Sequence, residues 1–310
     1  MKDIIIIFLI VVLVGVGFYL LTQDSSEEVV VPDEENGEVE DVGTSSVPTA
    51  TTTEPGDDSG EVEEGKTVIG QSVEGRDIES YVYGNGENHL LFAAGLHGGY
   101  DWNTVLVAYK LIDQLENNPG LVPDNVKVSV VPVLNPDGLY KVAGTSGRFS
   151  EGDVGGSQDE IVEGRFNANG VDINRNFDCD WKSSGVWQDT TVDAGSEVFS
   201  EPESKAFRDY VNSFSPDGVV VWYSAAGGVF ASNCHNGVLK ETSDLTSLYA
   251  DASGYPAYEE FDFYEINGDA VNWLAKENIP AISVLLSNHE DVEWSKNWEG
   301  IKAVFDYYSE

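Results

Sequence analysis

Four apolar runs constrain the fold most: His89 to Leu96, Val126 to Val133, Gly218 to Tyr223 and Ala281 to Leu286. Several are apolar without alternation, as strands are when both faces of a sheet are covered, and helix-like stretches separate them. That pattern predicts an α/β fold. Between the first two runs, Val105, Ala108, Ile112 and Leu115 form a helical stripe within Asn103 to Leu115. Ser200, with Glu203 three residues on, reads as a capping box opening a second helix. A last helix is expected around Asn297 to Tyr308.

The folded part is expected over residues 67–310, because the earlier chain has a different character. Ile4 to Leu21 is uncharged, apolar and long enough to cross a hydrocarbon core as a helix. With only Lys2 basic before it and TQDSSEE after it, the run reads as an uncleaved transmembrane signal-anchor over residues 1–23. Lys2 on the short side and Asp24, Glu27 and Glu28 on the long side orient the bulk of the chain outside the cytoplasm. Residues 24–66 are mostly Glu, Asp, Ser, Thr, Pro and Gly, a composition that reads as a disordered acidic tether. A formal charge of −39 argues against nucleic acid as a partner, since phosphates would be repelled.

In so acidic a chain, the run GRFNANGVDINRNF, Gly164 to Phe177, draws attention with Arg165 and Arg175. A guanidinium fork matches a carboxylate, and the amide of Asn174 can donate to the same oxygen, so Asn174 and Arg175 read as a carboxylate clamp. A solvated loop with an Arg paired to an acid such as Asp172 is the alternative.

DINRNF, preceded by RFN and by NPDG at Asn135 to Gly138, resembles the zinc carboxypeptidase family. The resemblance extends through FSEPESKA, Phe199 to Ala206, and YEINGDAVNW, Tyr264 to Trp273, and covers roughly residues 67 to 310. It implies one domain with a mixed, roughly eight-stranded sheet and helices on both faces. It also implies roles: Asn174 and Arg175 for the terminal carboxylate of a peptide, Arg165 for the scissile carbonyl and its oxyanion, and Tyr264 as a mobile cap. Val271 would fall where side-chain preference is set, and Asp172 would orient the first His ligand.

The positions that carry chemistry depart from the family pattern. GLHGGYD keeps His97, but the Glu ligand falls at Tyr100 in the common spacing or at Asp101 in a longer one, and Asp is one methylene short. VVVWYSAAG puts Tyr223 where the second imidazole belongs, and a phenol with a reference pKa of about 10 ligates only as phenolate. PAISVLL puts Leu285 in the general-base position, and a hydrocarbon cannot exchange a proton with water. Glu290 and Asp291 lie five or more residues beyond, expected off the strand; a rescue by Glu290 is the alternative. His89, His235 and His289 read as surface or structural, with no second imidazole at ligand spacing. Cys179 and Cys234 suit a disulfide outside the membrane, or two buried thiols.

The expected function is therefore a membrane-anchored, extracytoplasmic carboxypeptidase-like domain. It would bind peptide or amino-acid carboxylates without cutting them, its metal positions His97, Asp101 and Tyr223 vestigial. A working zinc enzyme with substituted residues, zinc then being its cofactor, and a non-catalytic adaptor for another protein are the alternatives.

Overall fold

The structure, a computed structural model, describes residues 65–310. The apolar run Ile4 to Leu21 and all but the last two residues of the acidic segment lie outside the described residues. Within them no helix is long and apolar enough to cross a membrane.

Ten strands and seven α-helices follow one another along the described chain. Three strands, β1 (Gly65–Gln71), β2 (Asp77–Tyr83) and β3 (Asn88–Ala93), lead into α1 (Trp102–Asn117). Then come β4 (Val126–Val131), α2 (Pro136–Ala143) and α3 (Gln158–Glu163). A small hairpin of β5 (Ser184–Trp187) and β6 (Thr190–Asp193) precedes α4 (Pro202–Phe214). Next are β7 (Gly218–Ser224), β8 (Gly228–Ala231), α5 (Lys240–Ser253) and β9 (Ala257–Tyr258). The chain closes with α6 (Ala270–Lys276), β10 (Ala281–Leu286) and α7 (Trp294–Ser309).

Eight strands form one mixed sheet in the order β1-β2-β4-β3-β7-β10-β8-β9. The centre is parallel: β3 pairs β4 and β7, and β10 pairs β7 in the same sense, while β2 and β8 join antiparallel. These central strands are the apolar runs of the sequence. Alternate residues of β3 enter different cores: Leu90 and Phe92 pack with α1, α5 and α7, whereas Leu91 and Ala93 pack with α4 and α6. Helices thus cover both faces, which is why these strands show no polar alternation. Each large side chain sunk this way, such as Trp222 or Phe92, contributes about 1.5–3 kcal/mol. Strand β1, at the edge, is mostly exposed and carries a register shift between Val68 and Gly70.

One expected cap is absent. Helix α4 begins at Pro202, after Glu201, with no side-chain cap, because Ser200 donates to Glu201 and Glu203 points elsewhere. The Glu203 carboxylate accepts from the Val73 backbone at 3.1 Å and from Asn167 at 3.0 Å. It fastens the β1–β2 turn to the molecule instead of closing a box.

Candidate active-site cleft

The carboxyl ends of β3, β7 and β10 converge on a cavity of about 830 Å³, the place where parallel α/β sheets expose their loops. Its floor is assembled from three loops.

The first loop leaves β3 as GLHGG. Gly98 has φ +47°, and a Cβ there would lie 2.7 Å from the Gly164 carbonyl, so the turn tolerates only glycine. This tight turn buries His97 and brings its Nδ1 to 2.7 Å from Asp101 Oδ2, a direct hydrogen bond. Asp101 also accepts from the Ser224 backbone at 3.2 Å, and its other oxygen lies 3.2 Å from Nδ1 of His289. Burial acts to raise the Asp101 carboxyl, but the two imidazoles outweigh it and hold the group well below the usual carboxylate range. Burial, with the nearby Arg165 charge, holds His97 below its ordinary value, so the ring donates one proton, to Asp101. His97 Nε2 is left 3.7 Å from Asp172 without a hydrogen bond.

The second loop is the arginine-bearing one. Phe177 anchors it, packing its ring against Phe199, Phe207 and Trp273. Asn176 adds hydrogen bonds to the carbonyls of Ala194 and Glu197. Asp172 opens a 3-10 turn over Ile173–Arg175, accepting from Asn174 N, and takes Nε and Nη2 of Arg165 at 3.0 and 2.8 Å. Arg165 is buried and stacks 4.6 Å from the ring of Trp187, which the hairpin supplies. Arg175 gives Nη1 to the Asn174 carbonyl and Nη2 to the Val186 carbonyl, at 2.7 and 2.9 Å, and its buried Nε has no partner. Gly185 makes this possible, since a Cβ there would come within 2.7 Å of Arg175 Cδ.

The third loop precedes α6. Asp269 caps that helix through Asn272 N and accepts from Asn174 Nδ2 at 2.9 Å. Asn174 Oδ1 takes the backbone of Ala270 at 3.0 Å and the Tyr223 hydroxyl at 3.3 Å. Burial, then the neighbouring Asp269 charge, pushes the Tyr223 phenol well above its ordinary value, so it stays neutral. Leu285, on β10, lines the cavity as hydrocarbon, and Tyr264 and Val271 line it as well. A disulfide between Cys179 and Cys234 ties the arginine loop to the segment after β8.

The positions singled out in the sequence therefore meet in one hollow: His97, Arg165, Asn174, Arg175, Tyr223, Tyr264, Val271 and Leu285 all line it. Asp101 and Asp172 lie directly behind them. Glu290 is exposed and does not line it, so that rescue lacks a position. His289 does line it and tilts against Tyr100 at 4.3 Å between ring centres, although the sequence places it with the structural histidines. The hairpin's Trp187 and the Val186 carbonyl were likewise not legible beforehand.

A family model described as zinc carboxypeptidase matches residues 65–291. The chain belongs to the zinc carboxypeptidase family. Among relatives, bacteriocin BCN5 of Clostridium perfringens is 32% identical over 153 residues, 47% of this chain and 15% of that protein. Carboxypeptidase B of Helicoverpa zea is 32% identical over 106 residues, 34% of this chain and 23% of its own length. The chain thus spans less than a quarter of either. Murein-tripeptide amidase MpaA from Escherichia coli O157 shares the fold, with a TM-score of 0.56 at 23% identity, covering 82% of this chain and 97% of that one.

The family implies zinc, and the residues present do not fit it. Two ligands of one tetrahedral zinc stand about 3.4 Å apart, whereas His97 and Asp101 touch at 2.7 Å in a hydrogen bond. Tyr223 is neutral and turned to Asn174, and Leu285 offers no donor. Among the described residues no three His, Cys, Asp or Glu side chains are grouped to hold a metal ion.

Proposed function

We propose that this zinc carboxypeptidase-family domain binds the terminal carboxylate of a peptide-like ligand and leaves the peptide intact. The observation that carries this reading is the pairing, in one cavity, of Arg175 with an unpartnered buried Nε and Leu285 at the water-activating position. Arg175 keeps donors to spare after serving two carbonyls, and one N–H of Asn174 is uncommitted after the bond to Asp269. An incoming carboxylate would meet charge-assisted donors in a desolvated site.

Activating water needs a proton acceptor aimed at it, and loss of a general base alone costs about 10²- to 10⁴-fold. Leu285 cannot accept a proton, and Asp101 gives one oxygen to His97 and Ser224 and turns the other toward His289 at 3.2 Å. Arg165, which in a hydrolytic site would steady an oxyanion, is held by Asp172 and under Trp187. It serves here as part of the cavity wall. The apolar run Ile4 to Leu21 and the acidic segment after it support a membrane tether with the domain outside the cytoplasm.

Two similar proteins are named for peptide substrates: one for a murein tripeptide, and the other, from Lysinibacillus sphaericus, for a gamma-D-glutamyl-L-diamino acid linkage, the latter 23% identical over 228 residues, 64% of this chain and 54% of that protein. Cell-wall peptides with a free carboxylate are accordingly the first ligands to try. Incubating the purified full-length chain with such peptides and added zinc, followed by mass spectrometry, tests the reading. Intact peptide is expected; shortened peptide whose formation a chelator stops would contradict it.

A further inference from the structure

The floor of the cavity is not a field of positive charge. Asp172 pairs with Arg165 there, and a second buried carboxylate, Asp269, lines the cavity as well. Asp269 Oδ1 accepts from Asn272 N and its Oδ2 from Asn174 Nδ2, both at 2.9 Å. The amide of the clamp is thus already shared with a carboxylate of the chain itself. The ionisable groups acting on Asp269 come from three places: Arg175 in the arginine loop, His97 after β3 and Tyr223 on β7. His97 and Tyr223 are neutral, so the opposing charge comes from Arg175. Burial still outweighs the hydrogen bonds and Arg175, and it holds the Asp269 carboxyl above its ordinary value.

We propose that Asp269 is the proton-holding partner of the bound ligand: a peptide carboxylate enters the clamp together with one proton, which it shares with Asp269. The inference rests on the carboxylate-binding reading and adds the protonation state in which the site is filled. The coupling follows from the geometry of one amide. Asn174 Nδ2 carries two hydrogens about 120° apart, and one of them is given to Asp269. A ligand oxygen taking the other at the same length would stand about 5 Å from Asp269 Oδ2. At an effective dielectric of about 20, two negative charges that far apart raise each other's proton affinity by about 10²-fold. Arg175 is present before and after binding, so it does not change this difference. One proton then belongs to the pair, as with two carboxylates in any shared site. The balance is simple: one peptide anion and one solvent proton enter, and the charge of the cavity is unchanged.

The test is calorimetry on the full chain with acetyl-Ala-Val, as free acid and as amide, in two buffers of different protonation enthalpy. From about pH 8.5 down to about pH 5 the acid is expected to gain at least about tenfold in affinity, taking up close to one proton per peptide in between. The amide should do neither. An infrared difference spectrum of the acid complex should gain the C=O band of a protonated carboxyl, which no imidazole can produce. Asp269→Asn keeps a good helix cap and removes the opposing charge, so it should bind the acid more tightly at about pH 8.5, by up to about 10²-fold, with no proton uptake. Acid binding that is level with pH and takes up no proton, the amide still being weaker, overturns the shared proton alone. Proton uptake that persists in Asp269→Asn overturns it too. Equal binding of acid and amide at every pH, or no binding by either, overturns the carboxylate reading beneath it. If the variant folds poorly, the infrared band on the unaltered chain decides, and its absence overturns the proposal.

Discussion

His89 gives the fold a specific acid weakness that can be computed. It lies on β3, buried, with Nε2 2.6 Å from the Ser129 hydroxyl and its ring stacked 3.9 Å from Phe214. Burial, helped by the Lys127 charge, lowers its pKa to about 3. In the unfolded chain the same ring titrates at about 6.5. The unfolded state therefore binds a proton first as pH falls, and stability is lost from about pH 6.5 downward until the folded pKa is reached. Between pH 7.5 and 5.5 the loss through His89 is about 1.4 kcal/mol. His97, held neutral in the same direction, adds to the slope of the unaltered protein. A His89→Leu variant removes only the first contribution, and Ser129 keeps Tyr210 as a partner. Urea denaturation at the two pH values, in both proteins, reads the difference. The variant should lose about 1.4 kcal/mol less than the parent over this interval. An identical pH dependence in parent and variant would refute the argument that His89 is neutral in the fold.

Removing the Asp172 carboxylate by Asp172→Ala leaves buried Arg165 without its partner and weakens the 3-10 turn, so chemical denaturation should show a loss of about 3–5 kcal/mol. A loss below about 1 kcal/mol would mean that the pair is solvated. Reducing the Cys179–Cys234 bridge, whose cysteines are 55 residues apart, should lower stability by about 2–4 kcal/mol, seen as a lower Tm in reductant. Unchanged melting would show that the bridge does not hold the arginine loop. Restoring the family pattern in one variant, Asp101→Glu with Tyr223→His and Leu285→Glu, should bring about one zinc per chain by metal analysis, with chelator-sensitive release of C-terminal residues. Leu285→Glu alone should bring neither, because no metal would then hold the water.

The sheet was legible because its central strands are covered on both faces and so read as unbroken apolar runs. The arginine loop was legible because its motif is short and contiguous. What it does with its donors was not. Asn174 is engaged by Asp269 and Ala270, and Arg175 by Val186, through contacts set by folding and not by spacing. The hairpin was missed for a related reason: its strands are four residues each and mostly polar, too short to show a period. His289 carries no ligand spacing in the chain, yet the turn after β10 delivers it to Asp101, 188 positions earlier in the sequence. Ser200 and Glu203 show the opposite error, a good local pattern overridden because Glu203 is needed by Val73 and Asn167.

The central claim is a cleft that grips an anion and does not cut. Titrating the full-length chain calorimetrically with one cell-wall-type peptide, as free acid and as C-terminal amide, tests the grip most directly, provided the recovered peptide is weighed afterwards. The account predicts that the acid binds at least about tenfold more tightly, as charge-assisted hydrogen bonds of about 1.5–3 kcal/mol require, and is recovered whole. Equal affinities, or a peptide shortened by one residue, would contradict it.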